Sequence, residues 1–366
     1  MHKYLFFFLI PSLLIGAVSC QRNDDEPPAR EIKEISRLYV STSDYQAGAS
    51  TNISNVTVID PADQDEFPAA STFYTYVSAA KGGRMIHYTP ESGLVFQGSI
   101  NTPGTLDTTI QVMRVAINGV ISSAAKLSSR RLDNVRGLHY TVVNDGPALS
   151  EEMLIALNKS DSTHIKPYLF AFRRPTSTGF LAKPRFEMEL DFIPWGLTIN
   201  NKDVFIVKTG DNGGIVAYKD FTQSFIDKVD TVLTNIPKSF ELTVNGSKNL
   251  RGISYSKSKD ILVLTDYDVI SNVPQNGRIL IFENFSTQNS TKTIEPTRVI
   301  SGASSLLKQP MDVAIDPREA GKYIYVADSQ AKRVFRFLIS DEGNVKPNIE
   351  LNLGNKTPES ISLDAR

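Results

Sequence analysis

The chain has 366 residues, with 39 Lys and Arg set against 40 Asp and Glu, four His and a single cysteine. A formal charge of −1 supplies no dense basic stripe for a nucleic-acid backbone, and one cysteine excludes intrachain disulfides, so packing must hold the fold. Hydrophobic residues make up 41%, ordinary for a globular chain, and an all-β unit of this length can form one domain.

The chain opens with Lys3, an apolar run from Leu5 to Val18, and the small residues Ala17-Val18-Ser19 before Cys20. The run is shorter than the roughly 20 residues a spanning helix needs, and residues 1–19 read as a signal peptide. Cys20 directly after that triplet resembles a bacterial lipoprotein lipobox, with Ala17 where leucine is commoner. The resemblance implies a lipid on Cys20 and attachment to a membrane through it. Residues 20–33 are then a polar, proline-bearing tether. Within it, Asp24-Asp25-Glu26 resembles the acidic export tag of surface lipoproteins in Bacteroidota-like bacteria, which implies an outer-membrane lipoprotein on the periplasmic or cell-surface side.

From residue 34 onward the pattern is short strands with turn signals between them. Arg37–Tyr45, Asn55–Asp60 and Phe73–Val77 come first, then Arg84–Thr89, Gly93–Gly98 and the alternating Thr108–Ile117. A third group is Gly137–Val142, Met153–Leu157 and Tyr168–Arg173; a fourth is Trp195–Ile199, Val204–Lys208 and Gly214–Tyr218. Gln223–Leu233 has a weakly helical spacing. The fifth group is Gly252–Tyr255, Ile261–Thr265 and Arg278–Glu283; the sixth is Met311–Asp316, Lys322–Ala327, Arg333–Ile339 and Asn348–Leu353.

One strand recurs at the head of these groups. Taking its first apolar residue as anchor, it stands at Ile86, Leu138, Leu197, Ile253, Val313 and Ile361, in steps of 52, 59, 56, 60 and 48 residues. Propeller blades run roughly 40–50 residues, so these are blades with long loops. The last copy, Glu359–Leu363, has no strands after it, while the first group lacks a head strand. The two fragments complete each other. Residues 34–366 are therefore predicted to form an all-β, six-bladed β-propeller, closed by the C-terminal strand entering the N-terminal blade.

The sixth group, with Pro310, Val313-Ala314-Ile315-Asp316, Tyr325-Val326-Ala327-Asp328-Ser329, Arg333-Val334 and Phe337, resembles an NHL-type propeller repeat. In such repeats the Asp and Arg are structural. Leu38-Tyr39-Val40 and Val56-Thr57-Val58-Ile59-Asp60 are similar to YVTN-type propellers.

Two registers of the recurring strand carry the candidate chemistry. Two residues before each anchor stand Arg84, Arg136, Trp195, Arg251, Met311 and Glu359. First strands surround the channel, so this register should gather near one mouth. There three guanidinium groups suit a carboxylate, sulfate or phosphate, and Trp195 is expected to offer a stacking face to a sugar or aromatic group. The bland expectation is that each arginine pairs with a carboxylate such as Glu359 or Asp312. One residue after each anchor stand His87, His139, Thr198, Ser254, Ala314 and Ser362. Two histidines lack the third ligand a zinc site wants, so a hydrogen-bonded histidine pair is expected and no metal or cofactor.

No nucleophile elbow, zinc-protease helix or phosphate loop occurs. Lactonase-like six-bladed propellers hold calcium with Glu, Asn and Asp, but here arginines occupy comparable positions, where they would repel a cation. Asp266 and Asp268 read as turn-formers, and the Asn-x-Ser/Thr triplets at Asn55 and Asn158 as turn composition. The functional expectation is a binding or interaction module for an anionic small molecule, glycan or envelope protein; the alternative is a metal-dependent hydrolase or lyase of the lactonase-like type.

Overall fold

The computed structural model describes residues 34–46, 53–68, 73–100, 107–144, 150–159, 166–177, 181–210, 212–227, 231–233 and 236–366. The signal segment, Cys20, the tether and His164 lie outside the described residues. The remainder from Ile35 to Arg366 forms one unit of six sheets, each a propeller blade.

In blade one β1 (Ser36–Thr42), β2 (Val56–Ile59) and β3 (Tyr74–Tyr76) follow one another outward. Blade two is β4 (Gly83–Thr89), β5 (Leu94–Ser99), β6 (Thr109–Val115) and β7 (Ile121–Ser128). Blade three is β8 (Val135–Asn144), β9 (Ser150–Asn158), β10 (Tyr168–Arg173) and β11 (Phe186–Glu189). Blade four is β12 (Pro194–Asn200), β13 (Asp203–Lys208), β14 (Gly214–Tyr218) and β15 (Phe240–Val244). Blade five holds β16 (Ile253–Ser256), β17 (Ile261–Ile270) and β18 (Val273–Glu283). Its chain then lends β19 (Lys292–Ile294), parallel, to the outer edge of blade four before returning as β20 (Arg298–Ser301). Blade six is β21 (Pro310–Ile315), β22 (Tyr323–Asp328), β23 (Arg333–Leu338) and β24 (Ile349–Asn352).

The ring closes as the sequence implies. The last strand, β25 (Pro358–Ala365), is the inner strand of blade one and pairs antiparallel along the whole of β1, from Ser36 opposite Ala365 to Thr42 opposite Pro358. Hydroxyls on inner strands stitch neighbouring blades: Ser254 Oγ accepts from Ile315 N at 3.1 Å, Ser360 Oγ from Ile86 N at 3.1 Å, and Ser362 Oγ from Tyr88 N at 2.9 Å.

The core is divided among the gaps between adjacent sheets. Ile155, Leu157, Ile206 and Val216 fill the space between blades three and four; Leu38, Val40, Tyr325 and Ala327 fill that between six and one. Every middle strand is thus covered on both faces, which is why β13 and β22 read as continuous apolar runs and not as alternation.

Two expectations need correction. The sequence pattern shows no fourth strand in blades two to five, yet β7, β11, β15 and β20 are there. Outer strands have one face open, and β7 buries only Ile121 and Leu127 of eight residues, so its apolar signal is faint. Among the described residues of Gln223–Leu233, the helical spacing yields one turn, Ser224–Asp227.

Aspartate and asparagine on second strands act as turn ties. Asp328 accepts from Lys308 N, Gln309 N and Ala331 N; Asp266 accepts from Lys248 N and Asn249 N; Asn158 accepts from Asp133 N and Asn134 N. Each anchors the loop that leads into its own blade's inner strand. Asn158 and Asn55 are buried in these roles, Asn55 accepting from Ser78 N and donating to Ala80 O.

Candidate functional site: a cationic channel mouth

Alternation along a strand aims every second side chain at the same face, and all six inner strands share one environment, so a common register becomes a ring in space. The register two before the anchor does this: Arg84, Arg136, Trp195, Arg251, Met311 and Glu359 all line one cavity of about 520 Å³. Local backbone irregularities help to set their aim. Register shifts interrupt β4 between Gly83 and Ile86, β8 between Val135 and Gly137, β12 between Trp195 and Leu197, and β21 between Pro310 and Asp312. Such bulges re-aim side chains at a sheet's end. At β12 the bulge needs glycine: Gly196 has φ +66, and a Cβ there would lie 2.9 Å from Arg251 O.

Trp195 is the hub. Arg136 and Arg251, from the blades on either side, each bring the guanidinium carbon to 4.0 Å from the indole centroid, and Arg84 comes to 5.4 Å. The indole is only 6% exposed. The stacking face expected to be free for a ligand is therefore occupied by the arginines, which it positions and partly shields from one another.

The three arginines are held differently. Arg251 donates through Nη1 to Thr209 Oγ1 and to Leu250 O (3.0 Å), and through Nη2 to Tyr267 Oη (2.9 Å). Tyr267 Oη also accepts from Gln309 Nε2 at 3.2 Å, and Gln309 Oε1 accepts from Ser329 Oγ at 2.9 Å. Arg84 faces Glu359 at 3.7 Å, an ion pair beyond hydrogen-bond reach. Arg136 has the indole as its neighbour. Burial lowers the pKa of Arg84, with the nearby Arg251 charge acting in the same direction and Glu359 against it. Burial likewise raises the Glu359 carboxyl, with Arg84 opposing.

Hydrogen-bond capacity is left over. Arg84 Nε and Nη1, Arg136 Nε and Nη1, Arg251 Nε and Trp195 Nε1 are buried without a partner among the described residues, as is Glu359 Oε2. Among the described residues Lys159 and Lys332 also line the cavity, where five cationic side chains face one carboxylate, Glu359. Asp312, expected as a second counter-charge, is elsewhere: it accepts from Ser360 Oγ, from Ile361 N (3.0 Å) and from Val313 N (2.9 Å), tying blade six to the closing strand. The described lining of the mouth thus carries an excess of positive charge.

The register one after the anchor forms a second ring. His87, His139, Thr198, Ser254, Ala314 and Ser362 line a narrower cavity of about 210 Å³ together with Asp312. The two imidazoles are tilted by 35° to one another with centroids 4.5 Å apart, so they meet through their rings where a mutual hydrogen bond is expected. Burial pushes His139 down to about 4 and His87 well below its ordinary value, the latter also through His139. Among the described residues no group of three or more His, Cys, Asp or Glu is placed to hold a metal ion.

Tyr267, Gln309, Ser329, Lys159 and Lys332 escape a reading confined to the inner strands, because Tyr267 stands on β17 and the others in loops. The detectable signal is their position: Tyr267, Ser329 and Lys159 each follow immediately on an Asp or Asn of a second strand.

These features define a closed six-bladed β-propeller whose channel opens through a tryptophan-centred cluster of arginines. No family model matches the chain, and no curated protein matches it. Among solved structures it is similar to a crystal structure from Bacteroides fragilis described as a candidate 6-phosphogluconolactonase, with a TM-score of 0.43 and 10% sequence identity over 92% of this chain and 100% of that one.

Proposed function

We propose that this protein is a lipid-anchored envelope propeller, attached through Cys20 to the outer membrane on its periplasmic or cell-surface side, that binds an anionic small molecule or glycan at the channel mouth. The observation that supports this reading is the convergence of Arg84, Arg136 and Arg251 around Trp195, with unpaired buried donors and, among the described residues, one carboxylate beside five cations. Leaving a buried donor unmade costs about 1–3 kcal/mol, so an anion that satisfies several of them is favoured there over water. A rigid ring with variable loops suits recognition. The metal-dependent hydrolase or lyase has no observation in its favour, since the mouth that would hold the cation is lined by arginines.

The test is isothermal titration of the full-length chain with sulfate, phosphate and carboxylates, repeated on Arg136→Ala. Removing one charge-assisted donor, worth about 1.5–3 kcal/mol, weakens binding ten- to hundredfold. Binding that is absent for every anion, or identical in the variant, would reduce the arginines to structural groups.

A further inference from the structure

The carboxylate of Glu359 has no obvious place in a site made only for an anion. It is 8% exposed, it lines the same cavity as the three arginines, and its Oε2 has no hydrogen-bond partner, Arg84 standing 3.7 Å away. A bare anion satisfies guanidinium donors but brings a like charge towards Glu359, which a carboxylate disfavours. A buried acceptor requires a donor, and the described residues offer none to this oxygen. Ser43 also hydrogen-bonds this carboxyl, which leaves Oε2 for a donor that a ligand can supply.

Two donor types are available to an organic anion, a hydroxyl or an ammonium. An ammonium would meet Glu359 but also Arg84, Arg136, Lys159, Arg251 and Lys332 in one cavity, so a neutral hydroxyl is favoured. About 520 Å³ is well beyond a single anionic group and lies in the range of sites for whole organic molecules. We propose that the mouth takes a hydroxylated organic anion of the sugar-acid class, its carboxylate set on the arginines around Trp195 and a hydroxyl donating to Glu359. Glu359 is then the specificity-determining residue, rejecting anions that lack a donor. This rests on the anion-binding reading above and adds to it the second half of the ligand.

The experiment titrates the full-length chain, in detergent, with four probes: sulfate, cyclohexanecarboxylate, glucuronate and galacturonate. Cyclohexanecarboxylate keeps the ring and the carboxylate and removes every hydroxyl. At least one uronate is expected to bind about tenfold or more tightly than cyclohexanecarboxylate, the worth of one hydrogen bond to a charged group. In Glu359→Gln, whose amide oxygen accepts without a charge, that ratio falls several-fold, while sulfate and cyclohexanecarboxylate bind as well or better because a nearby negative charge is gone. Sulfate or cyclohexanecarboxylate binding as tightly as both uronates overturns the role given to Glu359 and leaves the anion site standing. So does a ratio unchanged in Glu359→Gln. Failure of all four probes overturns both readings together. The wild-type ratio decides by itself if the variant does not fold.

Discussion

Ser360 offers the sharpest test of how the ring is held shut. Its side chain is fully buried on β25; the hydroxyl donates to Asp312 Oδ2 on blade six and accepts from Ile86 N on blade two. One oxygen therefore joins three blades across the closure. Ser360→Ala leaves a buried N–H without an acceptor, at about 1–3 kcal/mol, and withdraws one donor from the Asp312 carboxyl, at about 1.5–3 kcal/mol. The combined loss is about 2.5–6 kcal/mol. For a domain of this size the unfolding entropy converts each kcal/mol into about 1.5 °C, so the melting temperature should fall by about 4–9 °C. Ser362→Ala is the internal control, since Ser362 accepts only from Tyr88 N and lines the channel, where water can replace it. Its expected loss is about 1 kcal/mol. Differential scanning calorimetry on both variants decides. A Ser360→Ala shift below 1 °C, or one no larger than that of Ser362→Ala, would refute the clamp.

Three further outcomes can be measured. Deleting Pro358–Arg366 strips β1 of its partner and exposes an unpaired strand edge, so the truncated chain should aggregate or lose its cooperative melt; an unchanged melting temperature would contradict the closure. The histidine ring predicts acid sensitivity. Folded values below 6.5 mean that the unfolded chain binds protons first, so the stability from neutral His87 and His139 is present above about pH 6.5 and is lost as pH falls towards 4. Asp312, raised by burial to about 6, has the opposite slope, favouring the fold below its ordinary value and losing that contribution as pH rises through 6. The measurement is accordingly a difference: His139→Gln should flatten the acid limb of the melting temperature relative to wild type, and parallel curves would count against it. Finally, Cys20→Ala should shift the protein from the membrane fraction to the soluble one, and retention in membranes without detergent would dismiss the lipid anchor.

The sequence by itself determined the blade count, the closure by β25 and the two registers that become rings around the channel. The reason is physical: six inner strands meet the same surroundings, so the same pattern of small, apolar and polar residues recurs in each, and a period of two aims equivalent positions together. What it did not determine lies where surroundings differ. Outer strands such as β7 have one open face and carry little apolar signal. Arg336 is fully buried in blade six and donates to Asn348 Oδ1 and to the carbonyls of Ala62 and Gln64, a role no local pattern announces because its partners are more than 270 residues away for the latter two. The mouth divides in the same way. Its arginines and Trp195 were legible as one register, but whether the indole faces a ligand or the arginines depends on packing between blades. Only the tertiary structure sent Asp312 to Ser360 and turned Glu359 towards the cations, because two carboxylates close to one another in register sit on different strands and meet different neighbours.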